Sequence, residues 1–229
     1  ENIRDIHDIR GTCYLTEPVN TPYGAAECPS FAQVSESREA YAKATRIQYD
    51  QQDEVYGKTV IQRHGKLMLV QNPPAYSLTT EELDKVYSLP YMRAYHPSYE
   101  ALGGVPGIEE VQFSITHNRG CFGYCNFCSI ALHQGRKITC RSEESILEEA
   151  EKLTKMKNFK GYIHDVGGPT ANFRHTSCQK QLEHGLCKGK KCLAPTPCKA
   201  LQVDHTEYLG ILRKLGKSRV LKEYLFVRA

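Results

Sequence analysis

Cys121, Cys125 and Cys128 stand in a C-x3-C-x2-C array. Three thiolates on one short loop can grip three corners of a cubane cluster, since soft sulfur ligands suit iron–sulfur chemistry. A bacterial ferredoxin run would add a fourth cysteine shortly after the third, and none follows at that distance. Three ligands leave one iron open. An open position on a metal is where a substrate or cosubstrate binds, whereas closed four-ligand sites are usually structural. Zinc is the other reading, with His133 or Cys140 completing a tetrahedron.

A second group, Cys178, Cys187, Cys192 and Cys198, has spacings x8, x4 and x5. Four cysteines on a polar segment could close a second metal site, either zinc or an auxiliary iron–sulfur cluster; the bland alternative is a set of loosely buried thiols. The same insertion, at about 174–199, carries Arg174, Lys180, Lys188, Lys190, Lys191 and Lys199 against the single acid Glu183. Such a basic loop suits a phosphate-bearing or nucleic-acid substrate, or is a solvated surface. Cys13, Cys28 and Cys140 are isolated and default to small buried hydrophobes. His164 and Asp165 are candidates to face a cofactor, with a hydrogen-bonded structural histidine as the alternative.

The elements that must position these residues change style along the chain. Residues 1–30, with Pro18, Pro22, Gly24 and Pro29, predict irregular structure. A helix is expected over about Phe31–Gln48, then a hairpin pairing Thr59–Gln62 with Leu67–Val70 around a His64-Gly65 turn. Thr79 and Glu82 have capping-box spacing for a helix carrying Leu83, Val86 and Tyr87. Pro90, Pro97, Gly103, Gly104, Pro106 and Gly107 mark a linker, so a boundary is placed after 107. Beyond it come strand–loop–helix repeats. Strands are expected at Val111–Ile115, at Tyr162–Val166 and near 220–227. Helices follow Ser142, a plausible N-cap, and carry Tyr208, Leu209, Leu212 and Leu215. Alternating strands and helices favour parallel pairing with right-handed crossovers. The fold expected is α/β: an accessory α+β segment over 1–107 and the first half of a partial TIM-like (βα) barrel over 108–229.

The cysteine loop follows a predicted strand directly, and the aromatic Phe127 precedes its third cysteine. The C-x3-C-x-aromatic-C motif resembles that of radical S-adenosylmethionine (SAM) enzymes. The strings Arg119–Ile130 and Arg141–Ile146 resemble the YgiQ-type subfamily. Asn72-Pro73-Pro74, Leu78–Glu82, Leu89-Pro90-Tyr91 and Gly167–Asn172 are similar to it too, and the resemblance spans roughly 65–229. It implies a 4Fe–4S cluster on Cys121, Cys125 and Cys128, with the SAM amino and carboxylate groups on the fourth iron. An electron from the reduced cluster would cleave the sulfonium carbon–sulfur bond, releasing methionine and a 5′-deoxyadenosyl radical. Phe127 would contact the adenine side, and Gly167, Gly168 and Pro169 would lie where the family meets the SAM amino group. That family motif often continues with Glu, where this chain has Pro169, so backbone contact is the expectation. The implied partners are SAM, a low-potential electron donor such as flavodoxin or ferredoxin, and an unidentified substrate.

Composition narrows the class. The chain has 229 residues, 40% hydrophobic and 24% charged, with a formal net charge of +4. These values are ordinary for a globular protein, and the charge alone does not argue for nucleic acid. No apolar run approaches the roughly 20 residues of a membrane span. With no secretory signal and ten cysteines, a reducing cytoplasmic setting and metal binding are expected rather than a disulfide framework. The sequence lacks an initiator Met and stops shortly after the apolar run Tyr224–Val227, so a truncated piece of a longer enzyme is expected. Two rivals stand beside this reading. A zinc-bearing nucleic-acid-binding module would use both cysteine groups structurally, and an electron-transfer iron–sulfur protein would favour a fully ligated cluster.

Overall fold

A computed structural model describes residues 2–168, 173–217 and 223–224. Contacts divide the chain into two compact units, Glu1–Ser77 with Gln179–Lys190, and Leu78–Cys178 with Lys191–Ala229.

The first unit is a four-stranded sheet with helices. Its strands are β1 (Cys13–Thr16), β2 (Ala26–Glu27), β3 (Val60–His64) and β4 (Leu67–Gln71), in the order β1-β4-β3-β2. β1/β4 and β4/β3 are antiparallel and β2/β3 is parallel. The β3–β4 hairpin matches expectation: Gly65 takes the first central turn position at φ 60°, which a two-residue hairpin requires and a side chain resists. The stretch before residue 30 is not irregular, because it supplies both sheet edges through backbone ladders that no local pattern announces. Ala26 N donates to Thr59 O at 2.8 Å and Cys28 N to Ile61 O at 2.8 Å. Cys28 is buried as expected, but Cys13 is exposed.

The single helix expected over 31–48 is two, α1 (Phe31–Glu36) and α2 (Arg38–Asp50). Ser37 is extended, and its side chain accepts from Ala40 N, so it stops one helix and caps the next. The segment Gln179–Lys190 is clamped to this unit by Asp53. Its carboxylate accepts from Val55 N and Leu186 N, both at 2.8 Å, and from Tyr56 N at 3.2 Å.

The second unit begins with α3 (Thr80–Tyr87), whose capping box forms as the spacing predicts: Thr79 accepts from Glu82 N and Glu82 from Thr79 N. Next come α4 (Ile108–Val111), β5 (Ser114–Thr116), β6 (Asn118–Arg119), α5 (Ile130–Gln134), β7 (Thr139–Cys140) and α6 (Glu143–Thr154). They are followed by β8 (Tyr162–Ile163), β9 (Asp165–Gly167), α7 (Lys180–His184, part of the first unit), α8 (Thr206–Gly216) and β10 (Glu223–Tyr224). The strand expected from Val111 starts later. Glu109 and Glu110 favour a helical turn there, Gln112 N bonds Ile108 O, and Val111 is exposed. The expected core face is nonetheless right: Phe113 and Ile115 bury together with Ile146, Leu153, Val166, Ile211 and Leu215. Ser142 caps α6 by accepting from Ser145 N at 3.1 Å.

Pairing is parallel where parallel pairing was expected, β5 with β9 and β8 with β10, and antiparallel for β6 with β7. The architecture is thus mixed α/β built from small sheets. Among the described residues these are two-stranded ladders and not a barrel, since two separate parallel pairs of short strands cannot curve to closure. The rest of the expected terminal strand at 220–227, outside β10, lies outside the described residues. No described helix is long and apolar enough to cross a membrane.

Candidate cluster and cofactor site

The cysteine loop leaves the carboxyl end of β5 through β6, the end of a βα unit where parallel folds keep their ligands. Gly120, at φ 82°, makes the sharp entry: a Cβ there would overlap Lys137 O, so only glycine lets the chain turn into Cys121. Cys121 N then donates to Gly135 O at 3.1 Å, and Cys128 N closes a turn on Cys125 O at 3.1 Å. Between them Tyr124 sits at φ 53°, a region non-glycine residues rarely adopt outside functional turns.

Gly123 lies between two of the sulfurs. A Cβ there would stand 3.3 Å from Cys121 Sγ and 3.8 Å from Cys125 Sγ. Cys121 is buried, Cys125 is exposed and Cys128 is half-buried, so the loop rises from the core to the surface and turns back. Among the described residues no three His, Cys, Asp or Glu side chains gather closely enough to form a metal site. The three sulfurs are neighbours on one loop rather than a closed tripod. Their donor type and the side-chain-free gap at Gly123 fit a soft metal cluster.

Charge around the loop is positive. The Tyr124 ring lies under the Arg136 guanidinium at 3.9 Å and near Lys191 Nζ at 5.9 Å, and Lys191 also bonds the Asn126 side chain. Phe122 is 1% exposed and stacks on Phe173 at 3.9 Å, whereas Phe127 is 91% exposed.

Behind the loop a buried polar belt fixes the strand ends. Arg141, 1% exposed, donates to Thr116 O at 3.0 Å and Ser145 O at 2.8 Å, pairs with Glu149, and lies over the Tyr87 ring. Arg93 also pairs with Glu149. Arg174 bonds Arg141 O at 2.7 Å and Glu207 at 2.6 Å. His117 N donates to Gly167 O at 2.9 Å, and its ring packs 4.7 Å from Tyr208. Burial pushes the Cys140 thiol up to about 12 and the Tyr208 hydroxyl up to about 12. A cavity of about 600 Å³ follows the unpaired side of β5, beside Ser114, Thr116 and Arg119.

The expected glycines stand at the carboxyl end of β9. Asp165 turns its carboxylate over Gly167, and Asn118 turns its carboxamide against Gly168. Burial raises the Asp165 carboxyl above its ordinary range. Pro169 lies outside the described residues. His164 is exposed, its Nδ1 3.3 Å from Glu110 O. In the second cysteine group, Cys178, Cys192 and Cys198 belong to the second unit and Cys187 to the first. Cys198 N donates to Cys192 O at 2.8 Å, and Cys192 Sγ lies 3.6 Å from Ser177 Oγ.

The family model described as "Radical SAM N-terminal" matches residues 1–114. A UPF0313 protein of Clostridium botulinum, strain Loch Maree, is 53% identical over 227 residues, covering 99% of this chain and 35% of its own length. Another, of Clostridium perfringens strain SM101, is 51% identical over 225 residues, covering 98% of this chain and 34% of its own length.

Together these matches support a member of the radical SAM superfamily. The likeness to UPF0313 proteins extends well before residue 65, where the motif resemblance began. The chain spans about a third of the length of the curated relatives it matches. No solved structure matches it. The sequence motifs singled out the cysteines and the glycine pair as candidates. They assigned no role to Asn118, His117, Arg141 or Glu149, because their partners are brought to them by strand pairing and helix packing.

Proposed function

We propose that Cys121, Cys125 and Cys128 bind a 4Fe–4S cluster, and that this chain is the cluster-bearing part of a radical SAM enzyme whose partial barrel is completed by further chain. Bound there, the cluster and SAM together supply a reductive cleavage of the sulfonium carbon–sulfur bond, which yields methionine and a hydrogen-abstracting 5′-deoxyadenosyl radical. The observation that carries this reading is a three-cysteine loop at the carboxyl end of β5, with the adjacent parallel strand β9 ending in Gly167-Gly168.

The chain's own residues have defined tasks on this reading. Gly120 turns the loop and Gly123 keeps side chains out of the space between sulfurs. The Phe122–Phe173 stack shields the Cys121 side from water. Arg136 and Lys191, both held against the Tyr124 ring, place positive charge on the loop that would offset the negative charge of a thiolate-bound cluster. Phe127, exposed on the loop, is free to meet the adenine of SAM, and a low-potential flavodoxin or ferredoxin supplies the electron. Arg141 holds the end of β5 against α6 and so keeps the loop's exit in place.

The test is anaerobic reconstitution of the full-length protein. It should turn brown, carry iron and sulfide, and make 5′-deoxyadenosine from SAM when reduced. Cys125→Ala should lose the cluster. Tightly held zinc with no iron would overturn the proposal.

A further inference from the structure

Asn118 is 1% exposed, and its Oδ1 is buried with no hydrogen-bond partner among the described residues. A buried amide oxygen left without a donor is costly, and native structures rarely tolerate one without a purpose. Its position is specific. A Cβ added at Gly168 would overlap this same oxygen, so the backbone of the glycine pair and the Asn118 carboxamide lie directly together. A second orphan lies on the same strand end. Asp165 Oδ1 is buried with no hydrogen-bond partner among the described residues, only the Val166 N–H bearing on the carboxylate, and both carboxylate oxygens stand 2.6 Å from where a Gly167 Cβ would be. Two consecutive glycines are thus each flanked by an acceptor oxygen that lacks a donor. What this strand end lacks is a hydrogen-bond donor, and donor-rich, cationic groups fit it best.

We infer that Asn118 Oδ1 accepts a hydrogen bond from the α-ammonium of SAM, beside the Gly167-Gly168 backbone. The inference rests on the cofactor reading above. Of the parts of SAM, the carboxylate and the sulfonium offer no donor, so neither completes Asn118. The adenine amine and the ribose hydroxyls are donors as well, but Asn118 lies three residues before Cys121, which on the cofactor reading favours the amino-acid end that chelates the cluster; 5′-methylthioadenosine, which keeps adenine and ribose, separates the two cases. Pro169 cannot provide the carboxylate that often follows this glycine pair in the family, and Asn118 supplies an acceptor from the neighbouring strand instead.

The test uses full-length, cluster-loaded protein. SAM affinity is read by equilibrium dialysis and by the change SAM induces in the electron paramagnetic resonance signal of the reduced cluster. 5′-Methylthioadenosine, which lacks the amino-acid portion, serves as the control ligand. Asn118→Ala should keep its iron and weaken SAM by about tenfold to a hundredfold, the worth of one charge-assisted bond, while binding 5′-methylthioadenosine as before. Asn118→Asp, an acceptor of the same shape, should bind SAM at least as tightly as the parent. Unchanged SAM affinity in Asn118→Ala, or equal loss of both ligands, would overturn the inference. If Asn118→Ala loses its cluster, weakened SAM binding by an iron-replete Asn118→Asp overturns it instead. Parent protein that holds iron but ignores SAM would refute the cofactor reading itself, and the inference with it.

Discussion

Asp53 in the first unit and Asn118 in the second are both buried polar side chains beside a glycine, and they are opposites. Asp53, 6% exposed, satisfies both carboxylate oxygens with three backbone N–H groups, and Gly185 leaves room for its carboxylate. Asn118, 1% exposed, has no partner for its oxygen among the described residues and lies against Gly168. A saturated buried polar group holds chain segments together. An unsaturated one marks where the molecule expects something from outside. On the proposed cofactor reading, the glycine end of β9 is completed by a ligand, whereas Asp53 is completed by its own chain.

The comparison sharpens when each polar group is removed. The largest effect is expected at Glu149, which faces two arginines, one of them almost fully buried. Glu149→Ala should cost about 3–5 kcal/mol, because it strands Arg141 as an unpaired buried charge; chemical denaturation measures it. Asp53→Ala should cost about 2–4 kcal/mol by the same assay, since several N–H groups lose a charged acceptor at once, and it should leave iron content unchanged.

An alkaline effect follows from Cys140 and Tyr208, both pushed up to about 12 by burial. In the unfolded chain they ionise near about 8.5 and 10. The folded state therefore holds their protons more tightly. Their contribution is fully present below about pH 8.5 and is lost as pH rises towards 12. Denaturation midpoints should fall across that window, and Cys140→Ala should flatten the first part of the decline.

The smallest stability effect is expected where the ligand effect is large. Asn118→Leu removes an orphan oxygen and keeps the volume, so stability should stay within about 1 kcal/mol of the parent. A loss as large as that of Asp53→Ala would erase the contrast between the two regions.

How much was legible in the sequence followed the range of each interaction. The Thr79–Glu82 capping box, the Ser142 cap and the Gly65 hairpin turn are local hydrogen-bond patterns, and each formed as read. The cysteine array was legible for the same reason, being confined to one loop. The Ser37 break was missed because a weakly apolar helical pattern ran through it while a single serine side chain redirected the backbone. β1 and β2 were missed because they gain their order from distant partners, β4 and β3. Asn118 was invisible for a deeper reason. Its neighbour Gly168 comes near only when β5 and β9 pair, and the lack of a donor is a property of the folded surroundings and of no residue in isolation.

The central claim is that three cysteines of one loop hold an iron cluster open to SAM. The most direct measurement is iron, sulfide and zinc content of the full-length protein purified without oxygen, parent against Cys125→Ala. The account predicts a difference of about four iron and four sulfide per chain, lost in the variant. Equal iron in both proteins, or zinc in place of iron in the parent, would contradict it.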